Sequence, residues 1–309
     1  MPRTLRMITR ESPLALWQTY AVTKKVEATG QACKIIPVKS TGDLDLVSPI
    51  YEIGIQGVFT KELDTALLND QADAAVHSLK DIPTLLAEGL TIAAILERGS
   101  HEDILFAKTG FVPDDSKPAV IATSSIRRRA QWLERFPNHS LVNVRGNVET
   151  RLKKFRESGW DGIIMARAGV ERLGLDLNGT TTLSWMLPSP AQGAIAVVCR
   201  KEDKEVAQLF AALHHDPTAQ CVEVERDFLR QLHGGCSVPI SALAQLENDH
   251  IHFRGAVHSV DGTANFRVDK KYRKDQWREA GTKAADEVKA SPIGKKILDE
   301  IQKLKSPRP

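Results

Sequence analysis

The chain has no apolar run approaching the length of a bilayer span. Its first residues, MPRTLRMITR, are too polar for a secretory signal. A cytoplasmic protein with no membrane partner is therefore expected. Cysteine is scarce: Cys33, Cys199, Cys221 and Cys236 are scattered, and none forms a C-x-x-C pair. That argues against a disulfide scaffold or a dithiol redox motif. No zinc-ligand spacing, Walker loop, GxGxxG or GxSxG element occurs, so no metal site is expected and the common nucleotide and hydrolase signatures are missing. A net charge of +3, from 42 basic and 39 acidic residues, is too small to imply nucleic acid. The basic residues also lack the interleaved aromatics of a single-strand binder. Internal repeats and low-complexity segments are absent.

What remains is a globular composition, 42% hydrophobic and 26% charged over 309 residues, long enough for two or three domains. The first half alternates short apolar strands with amphipathic segments. TLRMITR reads as a strand, and the following segment as a helix with Leu14, Trp17 and Ala21 on one face and a Ser12-Pro13 start. CKIIPVK is strand-like, and residues 40–57 show neither period and read as a long loop. VFTKELDTALLND is a helix with Phe59, Leu63, Ala66 and Leu67 inward, and ADAAVHS is a strand leading into the loop LKDIP. The alternation resumes near residue 103 with DILFA, AVIAT, SSIRRRAQWLERF, LVNVR, NVETRLKKFRESG and WDGIIMAR. Repeated βα units of this length predict mostly parallel sheets, with ligands at the carboxyl ends of strands.

The style changes after HHDP at 214–217. A helix leads into GGCSVP, then three strand-like segments, the last two separated by Asp261-Gly262, a hairpin signal. Two closing helices follow, the last with Ile297, Ile301 and Leu304 on one face. This predicts a small α+β domain with Cys236 on the loop entering its sheet. His250, His252, Arg254 and His258 share one side of a predicted strand and read as a solvent-facing polar face.

Arginine marks the functional edge. Arg10 ends the first strand, Arg127 and Arg128 open a helix behind Ser124-Ser125, and Arg145 ends a strand before Gly146-Asn147. Arg151 lies one turn beyond Asn147, and Arg172 follows Ala168-Gly169. Helix N-termini present unpaired N–H groups, and arginine adds planar paired donors, so the ligand should be small, polyanionic and rich in carboxylates. Asp81, in HSLKD, is the candidate acid, beside Lys80. Cys236 admits three readings: an inert thiol, a nucleophile with His233, or the anchor of a covalent cofactor. The glycines before it leave clearance for a large adduct. An anion-binding protein without catalysis would share the arginine-lined lobes.

The ordered motifs TRESPLALWQ, FTKEL, HSLKDIPT, ATSSIRRRAQ, VRGNVETRL, AGVERLGL, PAQGAIAV and ERDFLRQLHGGCSVPI resemble the porphobilinogen deaminase (hydroxymethylbilane synthase) family over nearly the whole length. The resemblance implies an enzyme that joins four porphobilinogens into a linear tetrapyrrole with loss of ammonia. It implies a dipyrromethane cofactor on Cys236 through a thioether, and a monomer. The α/β fold implied has two periplasmic-binding-protein-like βα lobes around a cleft, residues 1–96 with 193–213 and residues 97–192, plus the α+β domain at 214–309.

By the same resemblance Asp81 is the catalytic acid and also touches the cofactor. Ser78, Lys80, Thr123, Ser124, Ser125, Arg127, Arg128 and Arg145 hold the cofactor. Arg10, Ser12, Gln18, Arg151, Arg172, Gln192 and Gly193 meet the substrate. The chain departs from the family pattern at Gln56, Arg167 and His233. Arg167 is expected to crowd or extend the arginine cluster.

Overall fold

The computed structural model describes residues 3–40, 59–234 and 238–305. The expected loop at 40–57 lies outside them apart from Ser40, and so do Gln56, Cys236 and the side chain of Leu304.

The first lobe is a five-stranded sheet in the order β2-β1-β3-β10-β4. Its strands are β1 (Leu5–Arg10), β2 (Cys33–Val38), β3 (Ala74–Ser78), β4 (Leu90–Ile95) and β10 (Ile195–Arg200). The second lobe orders β7-β6-β8-β5-β9. These are β5 (Asp103–Ala107), β6 (Val120–Ala122), β7 (Ser140–Val142), β8 (Gly162–Ala166) and β9 (Thr180–Thr182).

The expectation of mostly parallel sheets holds for four of the five strands in each lobe, and one strand in each runs against the rest. β1 runs parallel to β2 and β3, and β6 to β7 and β8. However, β10 is antiparallel to β3 and β4, and β5 is antiparallel to β8 and β9. The cause is connectivity. β5 follows the crossing out of the first lobe and β10 the return, so each enters its sheet from the cleft side.

Both sheets are covered on both faces, so successive residues of one strand enter different cores. Met7, Ala74 and Val197 pack beneath α1 (Pro13–Glu27) and α6 (Lys204–Ala211). Their neighbours Ile8, Ala75 and Val198 pack beneath α2 (Lys61–Leu68) and α7 (Asp216–Gln231). In the second lobe Leu105, Ile121 and Ile164 meet Trp132 of α3 (Ile126–Arg135). Ile104, Ala122 and Ile163 meet Leu152 and Phe155 of α4 (Val148–Glu157) and Val170 of α5 (Arg167–Arg172).

The third domain is the antiparallel sheet β11 (Ile240–Glu247), β12 (His250–His258) and β13 (Asn265–Arg273). It packs on α7, α8 (Trp277–Ala290) and α9 (Pro292–Lys305) around Phe228, Phe253, Val288, Ile297 and Ile301. Its β12–β13 hairpin turns at Gly262, whose φ is +76°. A Cβ there would come within 2.5 Å of Ala130 O, so only glycine lets the tip lie on the α3 backbone.

Two surface expectations fail. The buried face of α1 is Ala15, Gln18, Thr19, Val22, Thr23 and Val26, while Trp17 is 41% exposed with Arg172 over its ring. Polar side chains with internal partners displaced the larger apolar ones. His258 is fully buried rather than solvent-facing, because β12 ends under α3, where its Nε2 meets Glu134 Oε2 at 3.0 Å.

Candidate active site

Between the lobes lies a cavity of about 540 Å³, lined by the ends of β1, β3, β6 and β8 and the starts of four helices, three of them capped by a side chain. Local sequence explains the three capped starts. Ser12 caps α1 and accepts from Ala15 N. Ser125 caps α3, accepting from Arg128 N, and Asn147 caps α4, accepting from Thr150 N at 2.8 Å. Three capped N-termini therefore present positive dipole ends to one space. Gly146, at φ +115°, makes the turn that aims α4 at it.

Among the described residues the cavity is lined by seven basic side chains, Arg10, Lys80, Arg127, Arg128, Arg145, Arg151 and Arg172, against two acidic ones, Glu11 and Asp81. Burial lowers the Lys80 ammonium to about 8, with the nearby Asp81 charge opposing that fall. Burial also lowers Arg151 to about 10, helped by the Arg128 and Arg145 charges and opposed by Asp81. Arg172 is lowered to about 10 by burial, with Glu171 opposing. A cluster of crowded cations short of counter-charge favours polyanions, because each added carboxylate relieves mutual repulsion.

The structure brings Ser12, Ser78, Ser124, Ser125, Gln192 and Gly193 into the same lining as Asp81 and the arginines. Two sequence-predicted contacts do not reach it. Gln18 is buried behind β3, where its Nε2 donates to Ser78 Oγ at 2.8 Å. Thr123 is buried beneath the α3 cap, its Oγ1 accepting from Ser125 N at 3.3 Å. Each props a lining serine instead. Arg167 does not extend the cluster either: its Nε donates to Glu171 Oε1 at 2.7 Å on the outer side of α5. Gly193, at φ +88°, lets the crossing segments touch; a Cβ there would meet Ser100 O at 2.6 Å.

Sequence reasoning missed Asp103. It is fully buried at the start of β5, pairing with Arg127 Nη2 at 2.7 Å and Arg128 Nη2 at 2.8 Å. Burial pushes its carboxyl up, but the two guanidiniums and the Gln192 bond win and hold it at about 2. Arg127 also donates to Leu187 O at 2.6 Å and Arg128 to Ile164 O at 3.0 Å, so both are locked before any ligand arrives. The signal was an aspartate opening DILFA, legible only once β5 is known to enter from the cleft side. Glu225 and Arg98 were also missed; they form a buried ion pair at 2.6 Å behind the crossing segments.

Comparison with known proteins agrees with this geometry. Residues 5–208 match the family model described as porphobilinogen deaminase, dipyromethane cofactor binding domain. Residues 219–302 match porphobilinogen deaminase, C-terminal domain. A porphobilinogen deaminase of Syntrophomonas wolfei is 40% identical over 97% of this chain and 100% of its own length. One of Desulforamulus reducens is 39% identical over 98% and 99%. Among solved structures, an ancestral cationic amino acid solute binding protein overlaps 68% of this chain and 87% of its own, at 11% identity and a TM-score of 0.44. So loose an overlap carries no argument, and the lobed architecture stands on the strand order. With both family models matched in sequence along the chain and such identity held end to end, this protein belongs to the porphobilinogen deaminase family, enzymes of tetrapyrrole biosynthesis that polymerise porphobilinogen on a dipyrromethane cofactor.

Proposed function

We propose that the interlobe cavity is where porphobilinogen is deaminated and joined, with Asp81 as the acid at the reacting centre and Cys236 as the cofactor anchor. One observation carries this reading: Asp81 shares about 540 Å³ with seven basic side chains. The donor set fits the group, since each pyrrole ring brings an acetate and a propionate, and the lining offers guanidinium and ammonium donors beside helix N-termini. Lys80, Ser124, Ser125, Arg127, Arg128 and Arg145 would hold the cofactor's carboxylates, and Arg10, Ser12, Arg151 and Arg172 those of incoming substrate. When bound, the dipyrromethane supplies the primer that is extended.

Asp81 has two tasks in this reading. Its carboxylate lowers the energy of positive charge that develops on the pyrrole as ammonia leaves, and it accepts or returns a proton at that ring. A unit pair 4 Å apart interacts by about 4 kcal/mol at an effective dielectric of 20. Since about 1.4 kcal/mol is a tenfold rate change, that is enough to govern the step. The fixed number of cations gives a physical reason for chain growth to stop, because every added ring consumes two more carboxylate positions.

The reading includes a cytoplasmic monomer acting on a small molecule, with no nucleic-acid partner. Among the described residues no helix is long and apolar enough to cross a membrane. Intact mass tests the anchor: purified protein should exceed its polypeptide mass by one dipyrromethane, and Cys236→Ala should not. Asp81→Ala should keep the fold and lose about a hundredfold or more in ammonia release. Normal turnover in that variant would remove Asp81 from its role. Size-exclusion chromatography in the same preparation should return a single species near 34.1 kDa.

A further inference from the structure

Two consecutive charged residues of α7 reach out of the third domain in different directions. Glu225, fully buried, accepts from Arg98, from Ala191 N at 2.6 Å and from Ala244 N at 2.8 Å, tying the crossing segments to β11. Arg226 lies about 100° round the helix and turns to the first lobe. Its Nη1 donates to Leu79 O at 3.3 Å and Ile82 O at 3.0 Å, and its Nη2 to Pro83 O at 2.8 Å. Those carbonyls bracket Lys80 and Asp81 in the chain. Arg226 is 5% exposed, so these bonds form away from water.

The segment they hold has little regular structure of its own. Leu79–Asp81 is one 3-10 turn, closed by Ile82 N on Leu79 O at 3.2 Å. Residues 82–84 join no ladder, and Pro83 has no N–H to offer one. Buried carbonyls deprived of a donor are costly enough that the turn would relocate to regain partners. A lysine at 226 would bring a single ammonium to carbonyls that a planar fork spans at once.

We propose that Arg226 is a positioning residue for the reaction, fixing the Asp81 turn from α7. This rests on the reading of Asp81 as the reacting acid. Sub-ångström placement of a reacting group matters, since about 1 Å of error costs on the order of a hundredfold in rate.

The test uses Arg226→Lys and Arg226→Met in the full chain. Cofactor loading is read by intact mass, and ammonia release is followed against porphobilinogen concentration per loaded molecule. The expected result is a kcat lower by about tenfold for lysine and about a hundredfold for methionine, with KM changed less than about threefold. A merely structural role would reduce loading or folded yield and leave the kcat of loaded molecules unchanged; that result overturns the proposal. If the methionine variant does not fold, the lysine variant decides by the same criterion. Asp81→Ala in parallel separates the two ideas. Normal turnover there removes the acid assignment itself. An inactive Asp81→Ala beside Arg226 variants of wild-type kcat removes only the positioning role.

Discussion

Gln192 Nε2 donates to Asp103 Oδ1 at 2.9 Å. The same amide accepts, through Oε1, from Lys80 Nζ at 3.4 Å. One buried side chain on the crossing segment thus joins the acid's lobe to the locked arginine pair of the other lobe. Gln192→Ala removes both charge-assisted bonds and should lower ammonia release by about tenfold or more. Gln192→Glu should do more harm, because it sets a second carboxylate against Asp103. Steady-state rates of both variants, normalised to cofactor loading, check the order; equal rates would contradict the bridging role.

Asp103 is the counter-charge that lets Arg127 and Arg128 be buried in the cofactor-free protein. Asp103→Asn should destabilise that form by about 3 kcal/mol, the usual cost of leaving a buried charge unpaired. The loss should shrink in the loaded protein, where cofactor carboxylates supply replacement charge. Denaturant unfolding of Asp103→Asn with and without Cys236→Ala measures the difference. The folded carboxyl sits at about 2 against about 3.9 unfolded, so its contribution is present above pH 3.9 and lost as pH falls through 2.

Lys80 gives the cleft a pH dependence on the alkaline side. Burial lowers its ammonium to about 8. Below pH 8 it is charged and attracts carboxylates; above pH 8 it must take up a proton as a polyanion binds. Binding of porphobilinogen to the Cys236→Ala protein should therefore weaken as pH rises past 8. Calorimetry at pH 8.5 in buffers of different ionisation enthalpy should show proton uptake, absent in Lys80→Met. No uptake in the wild-type cleft would contradict the burial-driven shift.

His77 and His258 act on the acidic side. Burial, aided at His77 by the Arg10 charge, lowers both to about 4; at His258 the Glu134 carboxylate opposes the fall. The unfolded chain takes up these protons near pH 6.5, so stability is full above 6.5 and declines as pH drops towards 4. Between pH 7 and 5 these two histidines should contribute a slope of up to two protons to the unfolding free energy, and His258→Gln should remove about one of them. A slope unchanged by that substitution would show that His258 titrates normally.

The legible part of the site was the part written in local chemistry. Ser125 before Ile126 and Asn147 before Val148 read as helix starts, because capping is settled within a few residues. The strand-end arginines were legible because β1, β6 and β7 lead into the cleft, where the helices that follow them begin. Trp17 and His258 were misread because which side of an element is covered depends on what packs there. Asp103 opened a strand with nothing local to show that it faces the cleft, and Arg226 carried no local mark.

The sequence by itself determined the family, the alternation of strands and helices, and the ordered set of basic residues and one acid suited to carboxylate-bearing pyrroles. Those are properties of spacing and residue type, which survive without knowledge of distant contacts. The tertiary structure alone decided that β5 and β10 enter against the parallel strands, that Asp103 neutralises Arg127 and Arg128, and that α7 grips the Asp81 turn through Arg226. Each of these joins residues far apart in the chain, and such pairings follow from packing and desolvation, which no short stretch of sequence contains.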